Sequence, residues 1–191
     1  MKRTILDQLH LLMPPNHAED FVGVSKIRNV KKGGNFIEAG SVPRKIAFVG
    51  EGLFRYYYLG KDGQEFTKGI FSEGGILASY SAMIGETPSH FFIQALEPST
   101  ILEVNWGVWN ELKAKNHFWD QFLFKMLEKG FITKERRERE LLLLDAETRY
   151  RNFLDQYPGL EDRLTQKIIA SYLGVKPESL SRIRRKFKAL T

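Results

Sequence analysis

The sequence predicts an α+β protein: an N-terminal antiparallel β-roll, a long helix, and a C-terminal pair of short helices joined by a tight turn. Three features carry that expectation. Between about residues 25 and 105, short runs rich in β-branched and aromatic side chains alternate with glycine turns, the texture of a roll or barrel. From about residue 118 toward 144 a longer helix is expected, with apolar residues at helical spacing in its first half. Residues 164–186 then read as helix, turn, helix.

Taken in order, residues 4–13 place Ile5, Leu9, Leu12 and Met13 at helical spacing, and Pro14-Pro15 stops that helix. A second short helix is expected near 16–22. Strands are expected at 46–49, 53–59, 64–71, 91–96 and 101–104, with Gly60-Lys-Asp-Gly63 turning a hairpin between two aromatic-rich strands. Residues 78–86 break the strand rhythm and predict a short helix and loop, and 106–116 predict another helix. In the long helix, Phe122, Leu123, Met126 and Leu127 form an apolar seam. The seam could pack on its own β domain; a two-fold dimer through it is the preferred reading. Residues 133–140 are wholly polar, with opposite charges three and four apart that support a solvated helix. The run 141–144 is too wide for one seam and is expected where two domains meet. Asp145 is the expected N-cap of a helix from 146 to about 156, ended by Pro158-Gly159. The expected domains are therefore a roll with flanking helices (1–116), the long helix (117–144) and the helix pair (145–191).

The helix pair is punctuated by residues with defined roles. Thr165 can cap the first helix, and Ile168, Ile169, Tyr172 and Leu173 make one apolar face. Gly174 suits the left-handed position just past a helix end, and Pro177 fits the first turn of the next helix. Leu180, Ile183 and Phe187 should pack inward, leaving Glu178, Ser181, Arg182 and Arg185 outward. Residues 163–191 hold eight Lys/Arg and one Glu, a net of +7 against +6 for the whole chain. Positive charge collected at one end is the footprint of a polyanion surface rather than of general solubility. A short basic helix after a tight turn is what major-groove entry needs, so duplex DNA is the expected partner.

Composition narrows the alternatives. With 191 residues, 42% hydrophobic and 13% aromatic, the chain has material for a real core. It has no cysteine, which excludes disulfides, Cys-ligated zinc and Cys-ligated iron–sulfur clusters. No apolar signal region or membrane-length run occurs, so a cytoplasmic protein without a membrane partner is expected. His10, His17, His90 and His117 form no close ligand pattern and are expected at the surface or at caps; no metal, cofactor or catalytic set is expected. Phe54, Tyr56, Tyr57, Tyr58, Phe66 and Phe71 could line a pocket for an apolar ligand, although such sets are more often core. Two readings of other classes stay open on the residues alone: a metal-dependent β-barrel enzyme, and a small-ligand or protein-interaction module that has lost DNA binding.

A β-roll, a long helix and a helix-turn-helix in that order resemble the Crp/Fnr family of bacterial transcription regulators, the cAMP receptor protein type. The resemblance covers nearly the whole chain. It rests on Leu53-Phe-Arg-Tyr-Tyr, on Leu141-Leu-Leu-Leu-Asp-Ala-Glu-Thr-Arg-Tyr150, and on Ile169-Ala-Ser-Tyr-Leu-Gly-Val-Lys-Pro-Glu-Ser-Leu-Ser-Arg-Ile183. It implies a homodimeric, non-enzymatic DNA-binding regulator with a cyclic-nucleotide-binding-like roll. RNA polymerase and a small-molecule effector of unknown identity are the further partners it implies. Glu178 and Arg182 match the family's base-reading Glu and Arg. The chemistry agrees: Arg bonds guanine O6 and N7, and Glu accepts from cytosine N4. Pro177 stands where the cAMP receptor protein has a further base-reading Arg, and Lys176 replaces a small hydroxyl cap. The candidate DNA contacts are Thr165, Gln166, Lys176, Pro177, Glu178, Ser179, Ser181, Arg182, Arg185 and Lys186. The family's β-hairpin wing is expected to be incomplete, because few residues follow Phe187.

The effector site resembles the family less. cAMP binders use a Gly-Glu pair and, some ten residues on, an Arg; here the pair is matched by Ala78-Ser79 and the Arg position falls near Ser89. The candidate pocket is Gly74, Gly75, Ala78, Ser79, Ser89 and Phe91. Between Lys68 and Lys113 there is no Arg or Lys, so a cyclic phosphate is expected to lack its charge partner and cAMP is expected not to bind.

Overall fold

A computed structural model describes residues 5–188, so Thr4, where the first helix is expected to start, lies outside the described residues. The chain divides into two compact units, Met1–Tyr58 with Lys68–Met126, and Leu59–Thr67 with Leu127–Thr191.

The first unit opens with α1 (Ile5–His10) and α2 (Pro15–Val24). Pro15 stands in the first turn of α2, where a backbone N–H would have no intrahelical partner, so the Pro14-Pro15 pair separates two helices. The roll comprises β1 (Lys26–Val30), β2 (Asn35–Ile37), β3 (Lys45–Glu51), β4 (Phe54–Leu59), β5 (Glu65–Phe71), β6 (Ile76–Leu77), β7 (Phe92–Ala95) and β8 (Ser99–Asn105). A short helix, α3 (Tyr80–Ile84), falls between β6 and β7, inside the stretch whose strand rhythm breaks. The strands make two four-stranded sheets, ordered β1-β8-β3-β6 and β2-β7-β4-β5. Pairing is antiparallel, with Lys26 opposite Glu103, Phe48 opposite Leu102 and Phe54 opposite Ala95.

The sheet containing β3 and β8 is buried on both faces. Ala47, Val49 and Ile101 cluster with Phe54, Tyr56, Ile93 and Ala95 of the facing sheet. Ile46, Phe48, Leu102 and Val104 instead join Leu9, Phe21, Trp109, Trp119 and Phe122 from the helices. A strand covered on both sides has no polar face, which is why residues 46–49 read as an unbroken apolar run. Helix α4 (Trp106–Lys115) follows β8 directly, capped by the Asn105 side chain, which accepts from the Gly107 N–H.

Helix α5 (Phe118–Leu143) has the expected length, but its seam is not what the spacing suggested. Phe122 is only 6% exposed, its ring packed against those of Phe118, Trp119 and Trp109. Leu123 and Met126 are half-buried against the same cluster. The preferred dimer seam is therefore corrected for these residues: with Trp119 they form an i, i+3, i+4, i+7 stripe turned toward the unit's own core. Leu127, by contrast, is exposed, in line with Phe124 (62% exposed) and Phe131 (70%) on another face. Residues 141–144 close the helix inside the second unit, with Leu142 and Leu143 exposed. A second correction concerns His17, expected at the surface or at a cap. It is buried, its ring stacked 3.9 Å from that of Phe118, whereas His10, His90 and His117 are exposed.

Phe122→Ala is expected to cost about 3–5 kcal/mol of stability, as for other buried aromatic truncations. Urea unfolding measures it, and a loss below about 1 kcal/mol would place Phe122 outside the core.

Candidate nucleic-acid interface

The second unit is built around α6 (Ala146–Gln156), a 3₁₀ turn at Leu160–Arg163, α7 (Gln166–Leu173) and α8 (Pro177–Lys188). Local chemistry sets each boundary. The Asp145 carboxylate accepts from the Thr148 N–H at 2.8 Å and so starts α6; these amide bonds hold its carboxyl below the usual range. The Thr165 hydroxyl accepts from the Ile168 N–H at 3.4 Å at the head of α7. Gly174 ends α7 at φ 67°, where a side chain would be strained and a Cβ would come within 3.2 Å of Leu141 Cδ2.

Tyr150, Phe153, Leu164, Ile169, Tyr172, Leu173 and Leu180 make the buried interior of this unit. Ile183 and Phe187 are half-buried, with Phe187 meeting the Tyr150 ring at 5.4 Å. Thr165, Lys176, Pro177, Glu178, Arg182, Arg185 and Lys186 are exposed, while Gln166, Ser179 and Ser181 are partly buried. Gln166 is spent on structure, because its side-chain amide donates to the Pro177 carbonyl at 2.7 Å and ties the head of α7 to the head of α8. Glu178 and Arg182, one helical turn apart, lie together on the exposed side of α8.

Two basic residues of α8 are engaged within the unit. Arg184 pairs with Glu161 at 2.7 Å, and the same carboxylate accepts from the Tyr150 hydroxyl. Lys186 lies 3.4 Å from Glu147 at the surface. Arg184 could have been read as inward, because Leu180, Ile183, Arg184 and Phe187 complete an i, i+3, i+4, i+7 stripe. Among the described residues, the exposed cations of the helix pair are Lys167, Lys176, Arg182, Arg185 and the surface-paired Lys186.

The second candidate site lies in the roll. Gly74, at φ 83°, donates to the Val49 carbonyl, and the Gly75 carbonyl accepts from the Val49 N–H, so this turn is stitched to β3. The Ala78 N–H donates to the Tyr56 hydroxyl at 2.8 Å. Ser79 and Ser89, both buried, join hydroxyl to hydroxyl at 2.9 Å. The Ser89 proton goes to the Phe91 carbonyl, which makes Ser79 the donor. The Tyr56 ring is stacked between Phe71 at 4.3 Å and Phe91 at 5.2 Å, and burial pushes its hydroxyl well above the ordinary tyrosine range. One cation does approach these residues from outside the stretch between Lys68 and Lys113. Lys68 places its ammonium 3.9 Å from the Phe91 ring centroid and 5.3 Å from that of Tyr58. It reaches the site from β5, just upstream of the cation-free stretch.

Of the aromatics considered as a pocket lining, Phe54, Tyr56 and Tyr57 are buried, while Tyr58 and Phe66 are exposed. Among the described residues, no group of three or more His, Cys, Asp or Glu is placed to hold a metal ion, and no helix is long and apolar enough to cross a membrane.

Residues 27–116 match the cyclic nucleotide-binding domain family. The chain is similar to solved regulators along most of its length. FixK2 from Bradyrhizobium japonicum is 18% identical, with 87% of this chain and 86% of that one covered at a TM-score of 0.77. The chain has the Crp/Fnr fold. The c-di-GMP responsive regulator CLP from Xanthomonas campestris shares that fold at 17% identity, with 91% of each chain covered and a TM-score of 0.75. So does a CooA mutant from Carboxydothermus hydrogenoformans, at 21% identity, 90% and 79% coverage and a TM-score of 0.73. No curated protein sequence matches the chain. On the Crp/Fnr fold, α7 and α8 supply the helix-turn-helix, and Ser79 and Ser89 lie within the matched domain.

Proposed function

We propose that the chain is a sequence-specific, DNA-binding transcription regulator acting as a two-fold dimer, with a roll that does not bind cAMP. The observation that carries the reading is the outer side of α8. Glu178, Arg182 and Arg185 are exposed together on a short helix fixed by a left-handed turn, within a segment of net charge +7. Such a helix can enter a major groove, with Arg182 reading guanine, Glu178 reading cytosine and the remaining cations meeting phosphates. For the dimer, the supporting feature is the exposed line Phe124, Leu127, Phe131 along α5, which replaces the inward seam. For the roll, it is the use already made of the polar groups that would meet a nucleotide. Ser79 and Ser89 satisfy each other, Tyr56 takes the Ala78 amide, and Lys68 lies against two rings.

Arg182→Ala is expected to cost about 1–3 kcal/mol on a specific duplex and to relax base preference there. Arg185→Ala should weaken all duplexes alike and flatten the salt dependence by about one unit. Lys186→Ala should flatten it less, since the Lys186 ammonium must leave Glu147 to reach a phosphate. Fluorescence anisotropy on specific and random duplexes across a salt series separates these, and equal losses on both for Arg182→Ala would remove its base-reading role.

Replacing Phe124 and Phe131 together with Glu should turn a dimer into a folded monomer, read by analytical ultracentrifugation. A wild-type protein that sediments as a monomer at about 50 μM, well above ordinary dimer dissociation constants, would rule out the dimer.

Calorimetric titration with cAMP should show no saturable binding below about 1 mM. A dissociation constant in the low micromolar range would show that Lys68 serves the phosphate and that the serine pair opens.

A further inference from the structure

The second unit includes nine residues that are remote in sequence from its helices, the hairpin tip Leu59–Thr67. Its turn is closed by the Gly60 N–H donating to the Gln64 carbonyl at 2.8 Å. The tip is fastened to α7 by backbone groups rather than by apolar packing alone. The Ser171 hydroxyl donates to the Glu65 carbonyl at 2.7 Å and accepts from the Thr67 N–H at 2.9 Å. The Thr67 carbonyl in turn accepts from Arg137 Nη2 at 2.9 Å. The same nitrogen donates to the Tyr172 carbonyl, and the guanidinium lies 3.7 Å from the Tyr172 ring centroid.

These bonds complete the C-terminus of α7. The last four carbonyls of a helix have no intrahelical donors, and cations are favoured beside them. Here Ala170 accepts from Val175 N–H at 3.0 Å and Ser171 from Gly174 N–H at 3.3 Å. Tyr172 accepts from Arg137, and Leu173 from Arg149 Nε at 3.0 Å. Arg149 also donates to the Leu144 carbonyl at 2.7 Å, at the end of α5. Two arginines therefore hold the carbonyls immediately before Gly174, the residue whose backbone directs α8.

We infer that Arg137 is a positioning residue for the recognition helix, and that the docked hairpin tip is its support. The inference rests on the DNA-binding reading. On α7 the tip and the two arginines bond Ser171, Tyr172 and Leu173, while Glu178, Arg182 and Arg185 stay exposed. The tip thus steadies α7 without covering the reading side of α8. A lysine at position 137 would keep the charge and could still donate to carbonyls, but it has no planar face to lay on the Tyr172 ring.

The test uses the full chain and three variants, R137A, R137K and S171A. Each is measured for affinity on a selected duplex and on a random duplex over a salt series, for amide exchange at residues 59–67, and for thermal midpoint. R137A should lose about tenfold on the selected duplex, the scale of a lost charge-assisted hydrogen bond. Its random-duplex affinity and salt slope should stay those of the wild type, because Arg137 meets no phosphate. R137K should recover only part of the loss. S171A should speed Thr67 amide exchange about tenfold or more and weaken the selected duplex as well, by less than R137A. A folded R137A with wild-type affinity on the selected duplex would overturn the inference and leave the regulator reading intact. Equal losses on both duplexes with a flatter salt slope would make Arg137 a phosphate contact instead. A wild-type protein that binds no duplex would sink the regulator reading, and this inference with it. Should R137A fail to fold, R137K decides by the same criteria.

Discussion

The direction of α8 is set at Gly174, and the candidate interface depends on that one residue. At φ 67° the chain leaves α7 in the left-handed region, where a Cβ is strained, and Pro177 starts the next helix three residues later. A turn this short leaves its orientation exposed to whatever happens to the carbonyls before it. In this protein those carbonyls are taken by Arg137 and Arg149, and the head of the turn by Gln166 on the Pro177 carbonyl. The outward placement of Glu178 and Arg182 thus follows from backbone hydrogen bonding as much as from the apolar face of α8.

In the roll, the polar groups of Tyr56, Ala78, Ser79, Ser89 and Phe91 are satisfied among themselves. A carboxylate and a guanidinium at positions 79 and 89 would each need a partner once buried. Two serines need only each other and a carbonyl, and that is how Ser79 and Ser89 are satisfied. Tyr56, between Phe71 and Phe91, adds ring surface and supplies an acceptor for the Ala78 amide. The result is a site in which these polar groups are served by the chain itself.

What the sequence shows well is what local chemistry decides. Asp145, Thr165, Gly174 and Pro177 act at helix ends through neighbours a few residues away, and α6 begins and ends where Asp145 and Pro158-Gly159 place it. The roll was legible from its glycine turns and strand texture. What stays hidden is which distant surface a face or charge meets. The Phe122, Leu123 and Met126 spacing establishes a buried stripe, but only the position of Trp109 and Trp119 shows that the first unit's own core buries it. Arg137 reads as one charge in a solvated run, yet its partners stand at Thr67 and Tyr172. Lys68 lies outside the segment that defines the family's effector site and comes to Phe91 only through β5. His17 has no ligand spacing to betray it and is core because Phe118 covers it.

The helix pair is proposed to read a duplex by sequence. The most direct measurement is selection of bound duplexes from a random pool by the purified chain, followed by sequencing. An imperfect palindrome should be enriched, with half-sites about 34 Å, one helical turn, apart. A pool that stays random through successive rounds at low salt, where phosphate contacts alone retain DNA, would contradict it.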